Sequence, residues 1–109
     1  MCYSDLLKRN IIYKIEIDKK IVAYILWLKR KSYYRLYSLA ILKEFQGKGL
    51  GKLLLGFSLN SLDKDCFELE VRTANQTAIN LYEKFGFKKV KVLEKFYDDE
   101  DGIKMRLKR

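Results

Sequence analysis

Apolar positions recur along the chain with two different periods, and the changes of period mark out the elements. From Asn10 to Asp18 they alternate, at Ile11, Tyr13, Ile15 and Ile17, which is the two-residue period of a half-buried strand. After a Lys19-Lys20 turn, Ile21 to Leu28 and Tyr33 to Leu42 read as two further strands. Both are rich in β-branched and aromatic residues, and the basic turn Lys29 to Ser32 separates them, so the three form an antiparallel meander. Beyond the glycines at 47, 49 and 51 the period lengthens: Leu50, Leu53, Leu54, Phe57 and finally Leu62 predict a helix with one apolar face. Phe67 to Arg72 returns to strict alternation, with Phe67, Leu69 and Val71 on one face and Glu68, Glu70 and Arg72 on a polar one. Ala78, Leu81, Tyr82 and Phe85 then fall at i, i+3, i+4 and i+7 of a second helix. Thr73 with Gln76 resembles a capping box there, Asn75 is an alternative cap, and Gly86 suits the left-handed position after the last turn. Phe87 to Phe96 and Ile103 to Leu107 close the chain as two strands joined by the acidic loop Asp98 to Gly102. The predicted order is βββ-α-β-α-ββ, an α/β (α+β) class. No repeat or linker divides it, so residues 1–109 are expected to form a single domain.

Composition narrows the chemistry. With 109 residues, 49% of them hydrophobic, the chain can bury a core without disulfide or metal staples. Its longest apolar run, Ile21 to Leu28, is far shorter than the roughly 20 residues a membrane span needs. Cys2 and Cys66 are too few for a disulfide framework or a four-thiolate zinc site, and no export signal is visible. A reducing cytoplasm, no membrane and no metal are therefore expected. The absence of histidine removes Ser-His and Cys-His nucleophile pairs, leaving carboxylate, Tyr, Lys, Cys or water to move protons. A net charge of +9 raises the expectation of an anionic ligand, whether nucleic acid, phosphorylated cofactor or acidic peptide; a plain lysine-rich bias accounts for it equally well.

Gln46-Gly47-Lys48-Gly49-Leu50-Gly51 lies between a strand and an amphipathic helix, where unpaired N–H groups converge and the helix dipole favours an anion. Lys48 and Lys52 add positive charge. The spacing is neither that of a P-loop nor that of a dinucleotide fingerprint, so by itself the loop reads either as a phosphate cradle or as a tight turn ahead of a helix. Downstream, in fixed order, come Leu69-Glu70-Val71-Arg72, Asn75, Ala78, Leu81-Tyr82 and Gly86-Phe87. Together with the glycine loop, this set resembles the GNAT acetyltransferases over roughly residues 11–109. Within them it is similar to the RimI-type protein N-terminal (ribosomal-protein alanine) N-acetyltransferases.

The resemblance implies a fold with a mixed central sheet, in which the strand ending near Leu42 and the strand Phe67 to Arg72 are parallel neighbours that splay apart around acetyl-CoA, with CoA as the product. It implies that backbone groups of Leu39, Ala40 and Ile41 pair with the pantetheine arm and polarise the acetyl carbonyl, and that Gln46, Gly47, Lys48, Gly49, Leu50, Gly51 and Lys52 hold the pyrophosphate. Asn75 would bond the pantetheine or thioester side; a simple N-cap is the plainer reading of that residue. Glu70 is implied as general base and Tyr82 as general acid to the CoA sulfur. The residues themselves agree, since Glu70 projects from a polar strand face and Tyr82 is the one polar tip in an apolar stripe. A solvated strand carboxylate and a core tyrosine are the plainer readings. Tyr97, in Phe96-Tyr97 where the family has a Tyr-Tyr pair, is implied in acceptor binding, or else packs as a strand-end aromatic. Cys66 is a rival nucleophile, but four strand residues place it roughly 13 Å from Glu70, which favours direct transfer.

The acceptor implied is the N-terminal α-amine of a protein such as a ribosomal protein, with association with the ribosome in view. At pH 7 an α-amine of pKa about 7.8 has roughly 300 times the neutral fraction of a lysine of about 10.4. The sequence departs from the family in three places. The segment before Ile11 is shorter than the family's strand and two helices, so that Met1 to Asn10 supplies at most a short helical piece; the acceptor groove is then either open or covered by a partner, a second copy included. Lys43 replaces a frequent Pro, and the helix before Cys66 is a few residues short. Two alternatives stay open: transfer to lysine or a small amine, and a basic RNA- or ribosome-associated binding domain without catalysis, for which Tyr33, Tyr34 and Tyr37 lie beside Lys29 to Lys31 and Arg35.

Overall fold

A computed structural model describes residues 10–109; the expected short helical piece at Met1 to Asn10 lies, but for Asn10, outside the described residues. Strands β1 (Asn10–Ile17), β2 (Lys20–Lys29) and β3 (Tyr34–Ile41) are followed by a 3₁₀ turn (Lys43–Phe45) and helix α1 (Leu50–Ser61). Then come β4 (Cys66–Arg72), helix α2 (Gln76–Lys84), β5 (Lys88–Tyr97) and β6 (Glu100–Lys108). The strands form a six-stranded sheet in the order β1-β2-β3-β4-β6-β5, and the succession of elements is the one the periodicity predicts. One boundary moves. The acidic loop expected from Asp98 to Gly102 contracts to a turn at Asp98 and Asp99, because Glu100 already pairs with Tyr97 and Gly102 pairs with both Leu93 and Arg72.

Every neighbouring pair in the sheet is antiparallel except β3 and β4, which run parallel and touch only at Tyr34↔Phe67 and Arg35↔Glu68. Beyond Arg35 the two strands part. β3 stays bonded to β2 as far as Ala23↔Ile41, and β4 to β6 as far as Arg72↔Gly102, so a gap opens between two halves that are each held from outside. The closed end of the gap is pinned by Tyr34. Its ring stacks on Phe67 at 6.0 Å and its hydroxyl donates to Asp63 Oδ1 at 2.8 Å. Burial first, and then the Asp63 bond, push the Tyr34 pKa up to about 12.

Both helices lie on one face of the sheet and touch each other, Gly51 beside Leu81 and Gly56 beside the Phe85 ring. Leu54, Leu55, Leu59, Ile79 and Tyr82 share a single core with Ile25, Trp27, Phe67, Leu69 and Met105. The expected apolar face of α1 is rotated: Leu53 and Phe57 are 59% and 55% exposed, while Gly51, Leu54, Leu55, Ser58 and Leu59 are buried. The segment LGKLLLGFSLNS is apolar around more than half its circumference, so periodicity admits two neighbouring stripes, and contact with the sheet and with α2 selects between them. The expected capping box is replaced as well. Asn75 is the N-cap, its Oδ1 accepting from Ala78 N–H at 3.2 Å, while the Thr73 hydroxyl turns to the Asp101 carbonyl at 3.3 Å.

Truncating the buried Leu55 to Ala should cost about 3 kcal/mol, whereas Phe57→Ala should stay within about 1 kcal/mol. Urea unfolding of the two variants checks which stripe is core; equal losses would restore the face that periodicity alone suggests.

Candidate active site

The gap between β3 and β4 opens, on the helical side of the sheet, into a cleft of about 680 Å³. One wall is β3 at Leu39 and Ile41, the other is α2 from Asn75 to Lys84, and the glycine loop closes one end. Gly47 and Gly49 take φ of +77° and +80°, a left-handed conformation that glycine adopts without strain, and a Cβ built on either would meet nothing within 4 Å. Gly49 caps α1 with no side-chain bond, and the first bond that closes the helix is Leu53 N–H to Gly49 C=O at 3.0 Å. The N–H groups of Leu50, Gly51 and Lys52 therefore have no acceptor among the described residues and converge at the cleft, an arrangement suited to phosphate oxygens. Lys52 lines the same end.

The other predicted loop residues divide by role. Gln46 lines the cleft but donates its side chain to the Ile41 carbonyl at 3.0 Å, tying the loop to the end of β3. Lys48 does not line the cleft; its ammonium sits 5.6 Å over the Phe45 ring. Leu50 packs against the core, and Gly51 abuts Ile41 at 3.3 Å from a built Cβ, so its smallness serves helix packing. Ala40 departs from the expectation: it sits opposite Tyr24 on β2, and since Leu42 two residues on donates its N–H to Val22, the backbone groups of Ala40 also face β2, leaving those of Leu39 and Ile41 toward the gap. Asn75 has its oxygen committed to the cap and its side-chain NH₂ unpaired among the described residues at the cleft wall. Thr77, Asn80 and Lys84 also line the cleft. The periodicity of α2 marks its core-facing side, whereas these three stand on its polar flank, where nothing in the pattern distinguishes them.

Tyr82 is 8% exposed and faces the cleft; its hydroxyl has no partner among the described residues. Burial, and secondarily Tyr97, push its pKa above the ordinary value, so the phenol stays protonated and able to donate. Glu70 stands on the other face of the sheet, two residues past the point where β3 and β4 part. It is not the solvated carboxylate of an open polar face. Its side chain is 11% exposed and paired with Arg35, whose Nε donates to Oε1 at 2.8 Å and whose Nη2 donates to the same oxygen. Oε2 is left without a partner among the described residues. Glu68, the neighbouring carboxylate, is likewise buried and held by Lys104 at 3.1 Å and Arg106 at 3.0 Å. The alternation places both carboxylates correctly on one face, but it cannot show that cations from β3 and β6 desolvate them there.

Tyr97 links the two sides. Burial raises its pKa and Glu70 raises it further, while it interacts with Tyr82 in turn. The Arg72 guanidinium stacks 4.5 Å from its ring, and Phe96 meets it edge-on at 4.9 Å. A Cβ at Gly102 would lie 3.0 Å from the Tyr97 ring and 3.2 Å from Phe96 Cβ, so only glycine lets these aromatics close over β6. Cys66 is a free thiol outside the cleft, in a separate groove with Tyr33, Glu68 and Arg106.

A split parallel pair, an uncapped glycine-rich helix start and a protonated tyrosine at one cleft together define the fold, and comparison with known proteins agrees. The sequence profile of the Acetyltransferase (GNAT) domain matches residues 8–89. The chain belongs to the GNAT family. It is 47% identical over 73 residues to an N-alpha-acetyltransferase of Saccharolobus solfataricus, which covers 62% of this chain and 44% of that protein. It is 36% identical over 105 residues to an uncharacterized N-acetyltransferase of Methanocaldococcus jannaschii, covering 92% and 67%. The crystal structure of the ribosomal-protein-S18-alanine N-acetyltransferase from Escherichia coli superimposes with a TM-score of 0.87 at 29% identity, over 93% of this chain and 70% of that one. The likeness to the RimI-type enzymes is thereby shown. The chain spans 44% to 70% of the length of these relatives.

Within this GNAT domain the loop that launches α2 is held by a residue the sequence does not single out. Glu100 Oε2 accepts from Ala74 N–H at 2.8 Å, and Oε1 accepts from Arg72 at 3.1 Å. The Ala74 bond first, then Arg72, holds its carboxyl below the usual range. A depressed carboxylate stabilises the fold fully above its unfolded pKa, and that contribution is lost as pH falls through its lower folded value. The protection factor of the Ala74 amide, its exchange rate relative to the intrinsic rate at the same pH, should therefore fall on acidification below about pH 4, and Glu100→Ala should show the lowered protection already at neutral pH. Exchange unchanged in the variant would remove Glu100 from this role.

Proposed function

We propose that this domain is an acetyl-CoA-dependent N-acetyltransferase that passes acetyl directly to an amine, foremost the N-terminal α-amine of a protein such as a ribosomal protein. The observation that carries this reading is the gap between β3 and β4, with phosphate-type donors at one end, Tyr82 on its wall and Glu70 just beyond it on the opposite face. Acetyl-CoA supplies the activated acyl group; the pyrophosphate falls to the N–H groups of Leu50, Gly51 and Lys52. The open edge of β3 at Leu39 and Ile41 offers backbone groups that an extended pantetheine arm can pair with as an added strand. A donor from the same stretch stabilises the oxyanion formed when the amine attacks the thioester carbonyl.

Proton traffic runs in two directions. The attacking nitrogen releases its proton toward Glu70, directly or through a water on the uncommitted Oε2, with Arg35 fixing the carboxylate from the other oxygen. The departing thiolate takes a proton from Tyr82, which burial keeps in its neutral form. Cys66 lies outside the cleft, and direct attack needs no acetyl-enzyme. An N-terminal amine suits a single carboxylate because its neutral fraction at pH 7 is already large.

Calorimetric titration with acetyl-CoA, followed by thiol release on peptides with free α-amines and on lysine peptides with blocked N-termini, tests the reading. Binding with turnover on the α-amines is expected; no binding of acetyl-CoA would overturn it. Glu70→Gln and Tyr82→Phe should each lower turnover about 10²-fold or more with CoA affinity nearly unchanged. Because the Tyr82 pKa is raised, its donor function should persist to about pH 10 and fail only at higher pH, so the wild-type alkaline limb should lie beyond that value.

A further inference from the structure

The face of the sheet away from the helices carries a charge pattern that neither fold nor chemistry requires. Cross-strand register sets Lys104 opposite Glu70, Arg106 opposite Glu68 and Lys108 opposite Cys66. On the other side of β6, Lys91 stands opposite Lys104 and Lys88 opposite Arg106. Directly opposed residues share a face, and like charges so placed repel. Two such pairs occur in succession. The only carboxylates on these rungs, Glu70 and Glu68, are already taken by Arg35, Lys104 and Arg106. Lys88, Lys91 and Lys108 are exposed and have no ionic partner among the described residues. The far end of the row opens into a groove of about 390 Å³ where Arg106 and Lys108 stand beside Tyr33.

We propose that this basic row is the docking track for the acceptor, and that it selects polypeptides with acidic side chains close behind the amine to be acetylated. The inference rests on the transferase reading above and specifies its substrate class. Three features support it. The row begins at the rung that holds Glu70, so a positively charged terminus meets the one carboxylate oxygen left unpaired while the chain behind it runs over cations. Successive rungs on β6 are two strand residues apart, roughly 6.6 Å, which is also the spacing of alternate side chains in an extended peptide lying along the strand. Acidic side chains at the third and fifth acceptor positions would then face the Arg106–Lys88 rung and Lys108. Such a peptide also supplies the counter-charge that the opposed lysines lack, and the field of the row steers its approach. A polynucleotide would match the cations but offers no amine terminus for Glu70.

The experiment compares fluorescent peptides of one sequence carrying Glu, Gln or Lys at positions three and five. Binding is read by anisotropy in the presence of CoA, and thiol release from acetyl-CoA is read separately. The Glu peptide should bind roughly tenfold more tightly than the Lys peptide at low salt, with the contrast largely lost near 0.5 M salt, an order-of-magnitude expectation for a few exposed ion pairs. The Lys88→Glu/Lys91→Glu variant should reverse the order and Lys88→Gln/Lys91→Gln should flatten it. CoA affinity and turnover of the Gln peptide should not move in either. Equal binding of the Glu and Lys peptides, or a preference that survives charge reversal, would overturn the proposal. So would a single-stranded RNA oligonucleotide that displaces the Glu peptide at lower concentration than unlabelled peptide does. If the Glu peptide binds selectively but no peptide releases thiol, the docking track stands as a binding surface and the transferase reading is what fails.

Discussion

A parallel pair of strands that stops after two residues is the constraint from which the rest of this domain follows. Backbone N–H and C=O groups inside a sheet need partners, so a strand edge left open in its middle must face water or a ligand. Here β3 is held by β2 and β4 by β6, which lets the sheet carry such an opening without coming apart. The opening needs a firm hinge at its closed end, and the buried Tyr34, stacked on Phe67 and bonded to Asp63, supplies one. It also needs walls, and α1 and α2, packed on one face and against each other, flank it.

The two faces of the sheet are then assigned to different chemistry. The helical face is apolar and ends in unpaired N–H groups, which suits a long cofactor with a phosphate head. The opposite face is ionic. Arg35 belongs to both, because it leaves β3 at the last paired rung and reaches across the start of the gap to Glu70, tying the halves together by side chains where the backbone no longer does. The Gly102 rung does the corresponding work at the far end, where the absence of a Cβ lets Phe96 and Tyr97 fold over β6 toward the carboxylate.

Much of this was legible along the chain. The change from a two-residue to a 3.6-residue period located the six strands and two long helices of the described residues, and the glycine loop with the segment from Leu69 to Phe87 pointed to the family. Periodicity failed where more than one answer satisfied it. Around α1, Leu53 and Phe57 fit an apolar stripe as well as Leu55 and Leu59 do, and only packing against the sheet and α2 decides which stripe is covered. At the start of α2, Thr73 and Asn75 both can cap; the approach of Glu100 and Asp101 engages Thr73 and leaves the cap to Asn75.

Local sequence by itself determined which segments are strands and helices, where glycine permits left-handed backbone, and which residue types are present to move protons, because these depend on spacing and on intrinsic side-chain chemistry. Only the tertiary structure decided that Glu70 is paired with Arg35, that Glu100 anchors the turn into α2, and that five cations of β5 and β6 line up on one face. Those relations join residues up to 35 positions apart, as between Arg35 and Glu70. They depend on strand order and register, which are set by how the whole sheet closes around its core and not by any stretch of sequence within it.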